Sequence, residues 1–261
     1  MIIVITGGSS GIGLETAKMY AADKNNKVYV LNRRVVNNPN VTSISCDITS
    51  EKDVESAVKQ ITSENESKID ILINNAGMGI SGAIENHSLE DIRRIVDVNL
   101  IGLVNVTRKF IPLLRNTKGM IMNVSSVAGP ISIPFQTMYS ATKSAVLAFS
   151  NGLRNELRPY GVRVTSILPG DTQTGFTDAR KKSDDFGNYG DRIEKSVSKM
   201  EKDEKSGVPA SKVAKKIVKV SKKKNPNTYY VVGISYRFLV FLSRILPKRL
   251  VNWIIYQIYA K

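Results

Sequence analysis

One cysteine, one histidine and one tryptophan occur in the 261 residues, and each scarcity removes a class of explanation. A lone Cys46 excludes an intramolecular disulfide, and Cys46 with His87 cannot supply a zinc cluster, so no metal is expected. Both read as structural residues, Cys46 ending an expected strand and His87 preceding a helix start. No run of about 18 uncharged apolar residues is present, so a conventional spanning helix is not expected. Met1 leads at once into the strand-like IIVIT and a glycine-rich turn, so no cleavable leader is expected and the location is read as cytoplasmic.

The formal charge of +15 is confined. Residues 201–261 hold 14 Lys+Arg and 3 Asp+Glu, a balance of +11, which leaves 24 against 20, or +4, for residues 1–200. Basicity gathered in the tail argues against a nucleic-acid footprint spread over the fold and directs the partner question to one segment.

What is present is an alternation of short apolar runs with helical patterns, on a length that suits one α/β domain. Apolar runs at 2–5, 28–31, 41–46, 69–73, 119–124, 162–168 and 229–232 give seven strands. Helical patterns fall at 12–22, 50–63, from Ser88 toward Leu114, at 138–157 and at 209–220. A doubly wound parallel sheet with helices on both faces is the expected architecture. The domain spans 1–235, with a polar lid at about 176–207, and an amphipathic extension follows at 236–261.

The carboxyl ends of these strands carry the chemistry. After the first comes Thr6-Gly7-Gly8-Ser9-Ser10-Gly11-Ile12-Gly13, a glycine-rich turn opening a helix, where bare backbone and unpaired N–H groups can hold a pyrophosphate. Its spacing, Gly7-x-x-x-Gly11-x-Gly13, departs from G-x-G-x-x-G. The second ends in Asn32-Arg33-Arg34, where an acidic residue would bind a ribose 2′-hydroxyl and arginine attracts a 2′-phosphate, so NADP(H) is favoured over NAD(H). Two solvated loop arginines are the bland alternative. Asp47-Ile48 after the third can face an adenine, and Asp47 can equally help cap the next helix. Asn74-Asn75-Ala76-Gly77 ends the fourth, as a cofactor wall or a plain turn. Asn99 interrupts a helical pattern, as a kink or a polar task. Pro169-Gly170 breaks the sixth strand, and Thr172 and Thr174 beyond it can bond a nicotinamide amide.

Ser125-Ser126 ends the fifth strand, and Tyr139 and Lys143 lie four apart on the following helix, hence on one face. A phenol ionises near pH 10, and a cation one turn away is expected to lower that value. A phenol so tuned can give a proton to a carbonyl oxygen that a serine hydroxyl also holds. The spacing alone occurs by chance on many helices.

In order and spacing, TGGSSGIG, CDIT, NNAG, Val98-Asn99, NVSS, YSATK and PGDTQTG resemble the classical short-chain dehydrogenases/reductases over about residues 1–175. The resemblance implies a Rossmann-type fold and hydride transfer between a nicotinamide and a ketone or secondary alcohol. It makes Tyr139 the proton donor or base, Lys143 its tuner and ribose contact, Ser126 rather than Ser125 the carbonyl-orienting serine, and Asn99 the support of a relay water. It places Gly7, Gly11 and Gly13 at the pyrophosphate, Asp47 at the adenine, and Asn74, Ala76 and Gly77 along the cofactor. A homodimer or homotetramer is expected.

Ile131, Ile133, Phe135, Met138 and Phe176 are candidates for an apolar pocket suited to a lipophilic substrate of steroid, bile-acid or acyl-lipid type, with core packing as the alternative. The tail from Tyr236 to Tyr259 breaks its apolar clusters with Arg237, Arg244, Lys248 and Arg249. It can lie as two short helices on an anionic membrane at the inner face, or cover the cleft or a dimer interface. A nucleotide-sensing protein without catalysis is the rival function, and intact Ser126, Tyr139 and Lys143 argue against it.

Overall fold

The computed structural model describes residues 1–36, 38–182 and 187–261. The seven apolar runs form one all-parallel sheet: β1 (Ile2–Thr6), β2 (Lys27–Asn32), β3 (Thr42–Ser45), β4 (Ile71–Asn74), β5 (Met120–Val124), β6 (Arg163–Pro169) and β7 (Tyr229–Val232). Their spatial order is β7-β6-β5-β4-β1-β2-β3. The order reverses direction at β1 and β4, and a crevice opens beyond their carboxyl ends at such a switch point.

The helices are α1 (Gly11–Ala21), α2 (Glu51–Asn65), α3 (Leu89–Val96), α4 (Gly102–Thr117), α5 (Thr137–Leu157), α6 (Arg192–Lys205), α7 (Ala210–Ser221), α8 (Ile234–Ile245) and α9 (Lys248–Tyr259). Successive strand residues point to opposite faces. Ile3, Ile5, Val28 and Val30 pack with Ala17 and Tyr20 of α1 and Val213 and Ile217 of α7. Val4, Tyr29, Leu31 and Leu72 pack the other way, on Ile61 of α2, Phe110 of α4 and Leu153 of α5. A sheet buried on both faces needs apolar side chains at nearly every strand position, which is why the strands read as continuous runs.

Two elements differ from expectation. The helix expected to stop at Ser63 runs to Asn65, whose buried amide donates to Tyr29 Oη and Ile61 O, both at 2.7 Å. The long pattern from Ser88 is two helices joined by a wide turn over Asp97–Ile101, with Ser88 capping the first through the N–H of Asp91. Asn99 sits in that π-helical turn, so the propensity conflict marks a local widening where the backbone stays helical.

The tail starts at Ile234 and forms α8 and α9 around Leu246-Pro247. Val240, Val251 and Ile255 join Ile131, Leu168 and Val231 in one apolar cluster beside the carboxyl ends of β6 and β7. Residues 183–186 of the expected lid lie outside the described residues; α6 is its helix.

Candidate active site

A cavity of about 900 Å³ lies beyond the carboxyl ends of the central strands, between the glycine-rich turn and the tail. At the turn, Gly7 has φ of +67°, and an added Cβ would lie 2.8 Å from Ala76 Cα. Gly13 faces down rather than into the cavity, and a Cβ there would meet Gly7 O at 2.3 Å. Its role is close packing of α1 on the turn. Asn75 ties this floor together, its amide donating to Thr6 O and Gly7 O at 3.1 and 3.0 Å, while Thr6 Oγ1 accepts from the N–H groups of Asn75 and Ala76. Ser10 makes no side-chain cap, and the first turn of α1 holds no acidic residue. Its free N–H groups and positive end therefore face Gly7, Ser9, Ser10, Gly11 and Ile12 along the cavity wall. These features fit a dinucleotide pyrophosphate.

Further along, Asn32, Arg33, Arg34, Asp47 and Ile48 line one end. Both arginines are exposed and make no ion pair among the described residues. Asp47 accepts from Thr49 N at 2.9 Å, and Ser50 caps α2 by accepting from Asp53 N at 3.2 Å, so Asp47 braces the turn while still lining the cavity.

The opposite end holds Ser126, Tyr139 and Lys143. Ser125 turns away and donates to Lys143 O at 2.8 Å, while Ser126 Oγ accepts from Ala128 N at 3.1 Å and is hydrogen-bonded to Tyr139. The expected tuning of the phenol is corrected here. Burial pushes Tyr139 up to about 12; the Ser126 bond and Arg180 pull it down, and Glu204 pushes it up. Lys143 Nζ donates to Val124 O at 3.0 Å, lies 5.7 Å from the centre of the Tyr139 ring, and makes no hydrogen bond to the phenol among the described residues. Its own charge is desolvated, and burial lowers it to about 8. The pair is a protonated phenol beside a readily neutralised amine.

Three expected cofactor or catalytic positions lie outside the cavity wall. Asn74 points into the core, donating to Thr107 Oγ1 and Asn123 Oδ1, both at 2.8 Å, because its strand position alternates away from the crevice. Gly13 is beneath the floor. Asn99 accepts from Met78 N at 2.8 Å and donates to Met78 O at 2.9 Å and Thr142 Oγ1 at 3.1 Å. Its side chain braces the loop after Asn75-Ala76-Gly77. Pro169, Gly170, Thr172 and Thr174 line the cavity, with Thr172 Oγ1 donating to Gly170 O at 2.8 Å.

Of the apolar candidates, Ile133 and Phe176 line the cavity. Ile131 packs with the tail, Phe135 is buried against Ile193 and Val197, and Met138 is off the wall. The residues missed are Asp171, Met200 and Glu204, with Tyr236 and Tyr259 from the tail. Burial raises the Tyr236 phenol, and its Oη donates to Asp171, a contact that raises it further and joins the tail to the end of β6. Buried from most sides, Asp171 is raised as well. Only the loop position of Asp171 was a sequence signal; nothing in the tail's spacing singles out Tyr236 and Tyr259 from Tyr256.

The family model for short chain dehydrogenases matches residues 1–185. The chain is 37% identical over 265 residues to 3-ketodihydrosphingosine reductase of Bacteroides thetaiotaomicron, covering 99% of this chain and 98% of that one. It is similar in structure to a short-chain dehydrogenase from Streptomyces avermitilis, with a TM-score of 0.83 at 24% identity over 98% and 95% of the two chains, a likeness of fold. The closed form of serine dehydrogenase complexed with NADP+ superposes with a TM-score of 0.76 at 27% identity, over 89% of this chain and 94% of that one. The chain belongs to the short-chain dehydrogenase/reductase family.

Proposed function

We propose that the chain is an NADP(H)-dependent reductase of a lipophilic ketone. The observation that carries this is the convergence of Ser126, Tyr139 and Lys143 on the same cavity as the glycine-rich cradle. Bound there, the nicotinamide supplies the hydride to the carbonyl carbon. Tyr139 gives its proton to the carbonyl oxygen, and Ser126 donates a hydrogen bond to that oxygen as charge develops. A phenol held near 12 keeps its proton at neutral pH, which suits donation and hence reduction. Lys143 adds positive charge near the phenolate left behind, and Arg33 and Arg34 present unpaired guanidinium groups to a 2′-phosphate. The solved relative that holds NADP+ supports this cofactor.

The substrate end of the cavity is bounded by Ile133, Phe176, Met200, Tyr236 and Tyr259, an apolar and aromatic wall with a few polar tips. Together with the reductase of Bacteroides thetaiotaomicron acting, by its name, on a ketodihydrosphingosine, this wall supports a long-chain ketone. The test is NADPH oxidation with a panel of sphingoid, acyl, steroid and bile-acid ketones. Tyr139→Phe is expected to lose about 10²-fold or more in kcat/KM, the scale of positioned acid catalysis. A phenylalanine variant that reduces ketones as fast as the parent overturns the assignment.

The proposal includes a peripheral site of action at an anionic membrane. The tail's inner face builds the cavity, and its outer face exposes Phe238 at 63%, Phe241 at 57%, Ile245 at 63% and Trp253 at 58%, beside Arg237, Arg244, Lys248 and Arg249. Apolar area plus basic charge favours such a surface. Co-sedimentation with phosphatidylglycerol vesicles is expected for the parent and lost in Phe241→Glu/Trp253→Glu; unchanged binding removes the idea. Assembly as a homodimer or homotetramer completes the proposal.

A further inference from the structure

A buried ion pair beside the cavity takes no part in the chemistry above. Arg180 is 5% exposed, and its guanidinium pairs with Glu204 in the last turn of α6, whose side chain is 16% exposed. The other oxygen of the Glu204 carboxylate accepts from Thr177 Oγ1 at 2.6 Å. One carboxylate of the lid helix thus holds both ends of the segment 177–180. Phe176 immediately precedes that segment. Its ring centre is 5.7 Å from that of Tyr139 and 5.9 Å from the Arg180 guanidinium, so it is layered between the proton donor and the ion pair.

We propose that Arg180 and Glu204 form a latch that closes the lid and seats Phe176 against Tyr139, which makes Glu204 a positioning residue for the substrate. The inference rests on the reductase reading of the same cavity. Buried apolar contacts of Ile193 and Val197 and the pairing of Lys181-Lys182 with Ile80-Ser81 also hold this region, but its other ion pairs among the described residues are open to solvent. Lys182 pairs with Glu201 and Lys181 with Asp91, but the two lysines are 48% and 56% exposed, and pairs screened in that way hold little. The buried pair differs, because removing one member strands a charge away from water, whereas removing both does not. Among the described residues Arg180 Nη1 lacks a partner, and the ion pair of the guanidinium is with Glu204. The two charges also act on Tyr139 in opposite senses, Glu204 raising it and Arg180 lowering it.

The test compares Glu204→Met with Arg180→Met/Glu204→Met in the full chain. Three quantities are read: ketone KM against kcat, NADPH affinity by fluorescence, and trypsin cleavage after Lys181, Lys182 or Arg192. Each variant is expected to raise ketone KM by about tenfold while changing kcat by less than about threefold and NADPH affinity by less than about twofold, the pattern of lost substrate seating. Cleavage in the lid speeds up in both. The double variant is expected to melt closer to the parent than the single one, since it buries no unpaired charge, and so remains testable if the single variant does not fold. A double variant with the parent's KM and the parent's resistance to trypsin overturns the latch. If the parent reduces no ketone in the panel, the reductase reading fails, and the cleavage arm still decides the latch.

Discussion

Replacing Lys143 with methionine should make the protein more stable and less active. The lysine is 5% exposed, and burial lowers it from 10.5 to about 8. At about 1.4 kcal/mol per pH unit, keeping that charge in the folded state costs about 3 kcal/mol at pH 7. Methionine has a similar stem and no charge, but it gives up the charged bond to Val124 O, worth about 2 kcal/mol. A net gain of about 1 kcal/mol should raise the melting temperature by roughly 2–4 °C for a chain of this size. The sign with pH follows from linkage. Below about 8 the lysine is charged in both states and the cost is full. Between about 8 and 10.5 the unfolded chain holds the extra proton, so the parent gains stability as pH rises, and the gap to the variant closes. Tyr20 and Tyr139, both pushed up to about 12, act oppositely above pH 10, where the folded chain loses their contribution. They are common to both proteins and cancel in the difference. The assay is thermal melting of parent and Lys143→Met, without added nucleotide, from pH 6.5 to 10. A variant that melts below the parent at pH 7, or a gap that does not narrow toward pH 10, refutes the reasoning.

Gly13→Ala should weaken NADPH binding by about tenfold or more and lower the melting temperature, since its Cβ would lie 2.3 Å from a backbone carbonyl that cannot move without opening the turn; isothermal titration checks it. Arg33→Ala/Arg34→Ala should weaken NADPH binding by about tenfold at low salt, with the loss shrinking as salt rises, and leave NADH nearly unchanged. Equal losses for the two nucleotides would place the 2′-phosphate elsewhere.

Much of the site was legible because its signals are local. A glycine-rich turn between a strand and a helix, or a Tyr and Lys four apart, needs only the geometry of one element to be read. Asn99 was legible as an anomaly, but its partners were not: Met78 and Thr142 reach it from 21 and 43 residues away in the chain. Asn74 was misplaced because strand ends alternate in direction, and one residue decides between crevice and core.

The amino-acid sequence by itself determined the sheet and its strand count, since periodicity is a property of short segments, and it marked the glycine-rich turn and the Ser, Tyr and Lys that meet at one cavity through their resemblance to a known family. Tertiary structure alone decided the rest. It set the ionisation of Tyr139 and Lys143, where burial outweighs the neighbouring charge that spacing suggested. It also brought Asp171, Glu204, Tyr236 and Tyr259 to one cavity from segments up to 88 residues apart, a meeting produced by the packing of α6, α8 and α9 over the strand ends, which no local pattern encodes.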